Sequence, residues 1–583
     1  MEVDQLLLQH RWSTAVVLLL LVPVFTFITT SLISWAGFHS RREGREPPLK
    51  PYWIPLLGDW YGFILHPKNL LESVCRRYGN YTSVTVRLGP AKAYIMLQPQ
   101  TFAPLLRDYK KCTNKMFSVL TMQQLCGTPR HGLGIYKNDN SSIGVNPLPG
   151  TNVPPHLRIW RHQHESNHRF LQGANLKEFH ERIVQNLSAE LASVNPSDPI
   201  DSGEWATHSD FYTWWTHKLM TASITAMCGP HMLRLNPEFI ADFWVYMDAW
   251  PTLSKFYPRW LAPAAYTARD RVVKAIMVWH AYARQHSDCR VNGPTDPSWD
   301  EYWGSTWLKV RQQWGQDSGK MDHEVLACED LALIVAAHAN VMPSCFWNLV
   351  EIYSDPDLLA RLQPVLDACI DRSQSDNRVP SLPLRFDTNP ALSSPLAQSV
   401  YAEVQRMRVS MFHNRSPSLV DYRLGPFTLR KGALVMVPTA VASNCTELWG
   451  KTRTSRPLDV FWADRFLVME KKQESAGEET SDSPLVQNAL KPEEEPVRFS
   501  TEGLDGAAWI PYGGGAFTCP GRHLAKLEII SSAALFAAYF DLELVNGVPP
   551  MDDRFFGLGT QPPRGKVPVR IRRKLGALKP AVV

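Results

Sequence analysis

The chain has 583 residues, 44% hydrophobic and 20% charged, with a formal net charge of +5. These proportions describe a globular protein, and so slight a positive balance, without a dense Lys/Arg stripe or base-stacking motif, excludes nucleic acid as the main partner. Ten cysteines are scattered with no C-x-x-C pair or even spacing, which excludes a disulfide framework and fits a reducing compartment. From Trp12 to Phe38 there is no Asp, Glu, Lys or Arg, and Val16 to Val22 is apolar throughout. A bilayer-spanning helix needs about 20 such residues, so 12–38 reads as a transmembrane anchor. Pro23 is tolerated within it, and Trp12 and Trp35 mark its two interfaces. Arg41, Arg42 and Arg45 place the C-terminal side of the span in the cytosol, leaving 1–11 as a short lumenal tail. A cleaved signal peptide is the alternative, but the span is long and no small-residue cleavage site stands out. Pro47, Pro48, Pro51 and Pro55 then stiffen a linker, 39–58, that ends at Gly58.

Tyr81–Pro90 and Ala93–Leu97 read as two strands around Gly89-Pro90, a hairpin. The patterns from Pro154 to Ile370 are mostly helical. Within them Phe256-Tyr-Pro-Arg-Trp-Leu-Ala-Pro is unusually apolar for a loop, and either dips into a membrane or forms a buried turn. Lys431–Val437 is a strand candidate. Lys566–Arg573 is another, with Pro568 expected to confine it to a sheet edge. Residues 468–500 are polar and acidic, with Glu493, Glu494 and Glu495 in a row, and read as a solvent-exposed insertion.

Chemistry is concentrated near the C-terminus, in Trp509-Ile-Pro-Tyr-Gly-Gly-Gly-Ala-Phe-Thr-Cys-Pro-Gly-Arg-His-Leu-Ala-Lys. Gly513, Gly514 and Gly515 let the backbone turn tightly and lie flat against something bulky. Leu524, Ala525, Leu527, Ile530 and Ala534 have helical spacing, so Cys519 falls just before a helix N-terminus. Backbone N–H groups there are expected to favour thiolate over thiol. An exposed thiolate needs a purpose, and a haem iron provides one. A Cys packed inside a glycine loop is the plain alternative.

Tyr512-x-x-Gly515-x-x-x-Cys519-x-Gly521 resembles the haem-binding signature of the cytochrome P450 family. Two further motifs stand upstream in the same order. Glu403-Val-Gln-Arg406 resembles the family's E-x-x-R helix, and Phe461-Trp-Ala-Asp-Arg-Phe resembles its P-E-R-F segment. The resemblance implies a mainly α fold with small β-sheets over 59–583, behind the anchor. It makes Cys519 the axial ligand of the iron of haem b. Glu403, Arg406 and Arg465 become a buried ion network, and Tyr512, Gly513, Gly515 and Gly521 the loop that carries the cofactor. The chain departs from the pattern at Tyr512, where Phe is usual, and at Phe517, where the family has an Arg or His for a haem propionate. Arg415, at the spacing of the sterol hydroxylase and prostacyclin synthase branch, is expected to compensate. Trp160, with Arg161 or with His164, is the candidate for the second propionate.

Glu329–Glu351 is placed where the family's central helix crosses the haem. Ala336-Ala337-His338-Ala339-Asn340 falls on its A-G-x-acid-Thr pattern, with Ala339 for the acid and Asn340 for the Thr. Pro343 cannot donate to the carbonyl of Ala339, so a kink is expected there. Asn340 can donate and accept hydrogen bonds and is the catalytic candidate, set to hold a distal water or the oxygen. Val335, Ala336, Ala339, Met411, Phe412 and Leu558 are the substrate-pocket candidates. The implied activity is oxidation of a lipophilic terpenoid, steroid-like or polyketide molecule in secondary metabolism, at the endoplasmic reticulum membrane. Electrons would come from NADPH through NADPH–cytochrome P450 reductase, with cytochrome b5 as an optional second donor. Arg522, His523 and Lys526 would face that reductase or simply form a solvated helix face. Two alternatives are a reductase-independent isomerase, suggested by the missing acid–Thr pair, and a non-enzymatic membrane haem sensor.

Overall fold

The structure is a computed structural model that describes residues 2–40, 42–79, 82–193, 198–291, 297–370, 384–469, 497–504 and 506–574, with side chains from residue 21 onward. Helix α1 (Glu2–His39) runs through Pro23 without a break. Its last turns are held by the linker and by Tyr78. The Tyr52 N–H donates to Thr30 Oγ1 at 3.2 Å, Phe27 stacks on Trp53 at 4.1 Å and Phe38 stacks on Tyr78 at 5.2 Å. The stretch Leu21–His39, 19 residues with a mean hydropathy of 1.6, is apolar and long enough to cross a membrane. Trp12 and the polar tail lie outside the residues with described side chains.

The mixed sheet runs in the order Ser83–Leu88, Ala91–Met96, Leu434–Pro438, Val409–Pro417, Leu558–Thr560. β1 (Ser83–Leu88) and β2 (Ala91–Met96) form the hairpin expected around Gly89, whose φ of +61° suits a residue without a Cβ. β5 (Leu434–Pro438) joins β2 in parallel and β4 (Val409–Pro417) antiparallel, and β7 (Leu558–Thr560) closes the sheet with Leu558 opposite Met411. A second sheet holds β3 (Ala206–His208), β6 (Phe540–Leu544) and β8 (Val569–Arg573). Here the edge-strand expectation fails, because β8 lies between the other two. Pro568 sits one residue outside the paired segment, so its missing N–H costs no ladder bond, while its carbonyl still accepts from Val545.

The helices relevant to the site are α2 (Ile159–Phe170), α3 (Gly173–Ala192), α4 (Phe211–Cys228), α5 (Phe239–Leu253), α6 (Pro263–His286) and α7 (Thr306–Asp317). They are followed by α8 (His323–His338), α9 (Val341–Ser354), α10 (Pro395–Arg408) and α11 (Arg522–Tyr539). Asp210, Asp322 and Ser394 cap α4, α8 and α10 by accepting from backbone N–H groups in the first turn. The apolar stretch His323–Ser354 is as hydrophobic as Leu21–His39, yet it is mostly buried inside the protein. Trp215 and Trp347 are fully buried in the core that α11 shares with α3, α4 and α9. Most of the acidic insertion lies outside the described residues. Its two ends pair as strands, Val468 opposite Arg498. The loop at Phe256 is no buried turn: Trp260 is 80% exposed and Phe256 51%, with Phe256 at a φ of +58°.

Candidate active site

Three of the elements lining a cavity of about 540 Å³ bracket Cys519. α8 contributes Ala332, Leu333 and Ala336, α2 contributes Trp160, Gln163 and His164, and the glycine loop contributes Phe517, Thr518 and Pro520 on either side of Cys519. Cys519 is the one exposed cysteine; the other nine are free thiols, and seven of them are buried.

The loop's shape follows from its glycines. A Cβ on Gly515 would lie 2.1 Å from the Leu106 carbonyl oxygen, and one on Gly513 3.3 Å from the His413 ring. Both residues have positive φ, +68° and +73°. Tyr512 closes the loop from behind: its carbonyl accepts the Cys519 N–H at 2.9 Å and its hydroxyl meets that of Tyr401 at 2.8 Å. Gly521 has φ −78°, an ordinary value, and precedes the first turn of α11. The thiol itself reverses the expectation from helix geometry. The residue is exposed, yet dense protein around the sulfur raises its pKa. That burial outweighs the opposing pull of the Gly521 and Arg522 N–H groups and of the Arg522 charge. A metal bound at the sulfur would favour the thiolate.

Behind the loop, Glu403 accepts from Arg406 Nε at 2.7 Å, Arg406 Nη2 at 2.9 Å, Arg465 Nε at 2.8 Å and the Trp462 N–H at 3.2 Å. Arg465 also donates to the carbonyls of Arg456, Pro457 and Val460. All three ionic groups are buried, and burial lowers the Arg465 pKa.

Arg415, on β4, is 5% exposed, and among the described residues no carboxylate reaches it. Its Nε has no partner, and burial pushes its pKa down to about 10. The guanidinium lies over the Phe517 ring. Trp160 Nε1 is also buried without a partner. Of the two companions expected for Trp160, His164 lines the cavity, whereas Arg161 pairs with Glu165 at 3.1 Å. An exposed thiol, a close-fitting glycine loop, a buried cation and an unpartnered donor together fit a flat, dianionic iron porphyrin.

The distal helix is interrupted at Ala339 and Asn340, between α8 and α9. Pro343 offers no N–H to the Ala339 carbonyl, and Ser344 sends both its N–H and its hydroxyl to the carbonyl of Asn340, at 3.2 and 2.8 Å. Asn340 Oδ1 accepts the Thr560 N–H of β7 at 2.8 Å. One lone pair of its oxygen is thus used within the protein, and its NH2 group is the donor it can offer a ligand.

The substrate-pocket candidates divide. Ala336 lines the main cavity; Ala339, Asn340 and Leu558 line a second one of about 270 Å³, with Trp244, Pro343 and Gly559. Val335 is buried in the helical core. Phe412 is packed between Phe63 and Phe556, and Met411 is paired into the sheet opposite Leu558. These three line neither cavity. Gln163, Tyr401, His413 and Gly559 carried no local signal: each matters through a contact with a residue far off in sequence.

A family model described as Cytochrome P450 matches residues 160–569. The chain belongs to the cytochrome P450 family. Similar curated proteins include Cytochrome P450 monooxygenase efuG of Hormonema carpetanum, 30% identical over 97% of this chain and 98% of the relative. Cytochrome P450 monooxygenase fsoE of Humicola fuscoatra is 30% identical over 94% and 92%. Cholesterol 7-alpha-monooxygenase of Cricetulus griseus is 22% identical over 93% and 96%. As a member of this family the protein is a haem-thiolate monooxygenase, with the mainly helical P450 fold and an N-terminal apolar helix.

Proposed function

We propose that this P450 oxidises a polycyclic lipophilic molecule, of terpenoid, steroid-like or polyketide type, in secondary metabolism. Its fungal relatives, and the sterol after which its Cricetulus griseus relative is named, support that choice. The observation that carries the reading is the placement of Cys519 beside a cavity bounded by Ala332, Leu333 and Ala336 of α8, with Glu329 of the same helix at its edge. When bound, the haem activates dioxygen and inserts one oxygen atom into substrate, drawing on thiolate electron density. The chain's residues do the rest. Cys519 Sγ binds iron, Arg415 and Trp160 hold the propionates, and Glu403, Arg406 and Arg465 keep the loop's support rigid. Ala336 forms an apolar ceiling. Asn340 Nδ2 donates a hydrogen bond at the helix interruption and orients a polar ligand there.

The reading extends to location and partners. The domain sits on the cytosolic face of the endoplasmic reticulum, anchored by α1, with exposed Trp53, Leu56 and Trp260 against the lipid. Reductase docks beside Arg522 and His523. The protein is expressed in membranes with and without NADPH–cytochrome P450 reductase, and extracted metabolites are compared. Oxygenated product only with NADPH and reductase supports the proposal; conversion without either points to isomerisation.

A further inference from the structure

Three buried side chains form a hydrogen-bond chain across three helices. Glu528 of α11 is 5% exposed, Ser223 of α4 3% and His338 of α8 0%. His338 Nδ1 is 2.7 Å from the Ile334 carbonyl, and Nε2 is 3.1 Å from Ser223 Oγ. Ser223 Oγ is 3.4 Å from Glu528 Oε1.

Donor counting fixes the direction of this chain. A carbonyl only accepts, so Nδ1 carries a hydrogen. A neutral ring then accepts at Nε2, and the single hydroxyl hydrogen of Ser223 must go there. With the Ser223 hydrogen given to His338, the 3.4 Å contact is left to a hydrogen on the carboxyl group, the reverse of a serine donating to a carboxylate; burial, which raises the Glu528 pKa, favours that protonated form. Shifting two protons along the chain would instead create a buried imidazolium and a buried carboxylate, both disfavoured by desolvation. Burial acts in the same sense on each end, pushing Glu528 up to about 8 and His338 down to about 4. The other ionisable groups around Glu528 are Cys345 of α9 and, beyond Ser531, His180 of α3. Burial keeps the first a thiol and the second a neutral imidazole, so neither supplies a countercharge.

His338 directly precedes the interruption at Ala339–Asn340, and α11 begins three residues after Cys519. We propose that Glu528, Ser223 and His338 are positioning residues. Their chain fixes the end of α8, and with it Asn340, relative to the helix that leads out of the thiolate loop. Glu528 and Ser223 act through His338 and touch no substrate. The inference rests on the monooxygenase reading for its activity arm alone.

The first test is infrared difference spectroscopy of the full-length haem-loaded protein, wild type against Glu528→Gln. The expected result is a protonated-carboxyl C=O band at pH 7 that shifts in D2O and disappears as pH rises through about 8. No such band overturns the proposal, and this arm needs no turnover, so it can fail while the monooxygenase reading stands. The second test is product formed per NADPH consumed. Ser223→Ala and Glu528→Leu are expected to lower it several-fold at unchanged haem content, and Glu528→Gln, which keeps a donor for Ser223, is expected to rescue it. Wild-type coupling in Ser223→Ala, or equal loss in Gln and Leu variants, overturns the positioning role.

Discussion

The guanidinium carbon of Arg415 stands 5.0 Å from the centre of the Phe517 ring. Phe517 occupies the loop position where the family usually has a cation, and β4 delivers a cation to the same place from another part of the chain. A buried charge needs an anion, and at a pKa of about 10 Arg415 remains charged at neutral pH. Its contribution is lost only as pH rises through that value. Arg415→Leu is expected to weaken haem binding by about 10- to 100-fold, the worth of a charge-assisted hydrogen bond. Transfer of haem to apomyoglobin measures this, and wild-type transfer would remove Arg415 from the propionate site.

Glu403 is the only carboxylate shared by two buried guanidiniums in the network behind the loop, among the described residues. Glu403→Ala strands both Arg406 and Arg465, at a cost of about 3–5 kcal/mol. Arg361→Ala removes the half-exposed contact to Asp464 and is expected to cost at most about 1 kcal/mol. Urea midpoints of the two variants should differ accordingly; equal midpoints would mean that Glu403 is not the network's keystone.

Residues whose role is set by local spacing were legible in the sequence. The E-x-x-R pair lies one helical turn apart, so helix geometry alone brings its charges together. Cys519 and its glycines lie within a few residues of each other, and Pro343 acts on its own helix. The pocket was less legible. Val335 and Phe412 are apolar residues on the right elements, but the rotation of α8 and the register of β4 against β7 decide which faces turn inward. Asn340 shows the same limit, since the N–H that its side-chain oxygen accepts lies 220 residues away. Pro568 misled because an offset of one residue separates a broken ladder from an intact one.

Cys519 provides a test of what the iron does for the sulfur. Burial holds its pKa above the ordinary thiol value of 9.0, so the haem-free protein should carry a thiol at pH 7 and gain reactivity only as pH rises beyond that value. Iodoacetamide labelling of haem-free protein is expected to be slow at pH 7 and to accelerate above pH 9, and haem should block it. Cys519→Ser should abolish the red-shifted Soret band of the ferrous–carbon monoxide complex. An unchanged band would refute the ligand assignment.

Asn340 and Gly559 constrain each other. Gly559 has φ +149°, and a Cβ there would lie 2.1 Å from Asn340 Oδ1. Gly559→Ala must therefore push the Asn340 side chain away and break its bond to the Thr560 N–H. Asn340→Ala removes the amide without filling the space. Both are expected to retain haem and to divert reducing equivalents from product to peroxide, because the group that orients the polar ligand is displaced or gone. The two effects should not add. Once Asn340 is alanine the obstacle to a Cβ at 559 has vanished, so the double variant should resemble Asn340→Ala alone in coupling. Their interaction energy in stability should fall in the range of about 0.5–3 kcal/mol found for residues in contact. Strict additivity in both measurements would show that Gly559 serves the backbone turn alone and that Asn340 does not depend on it.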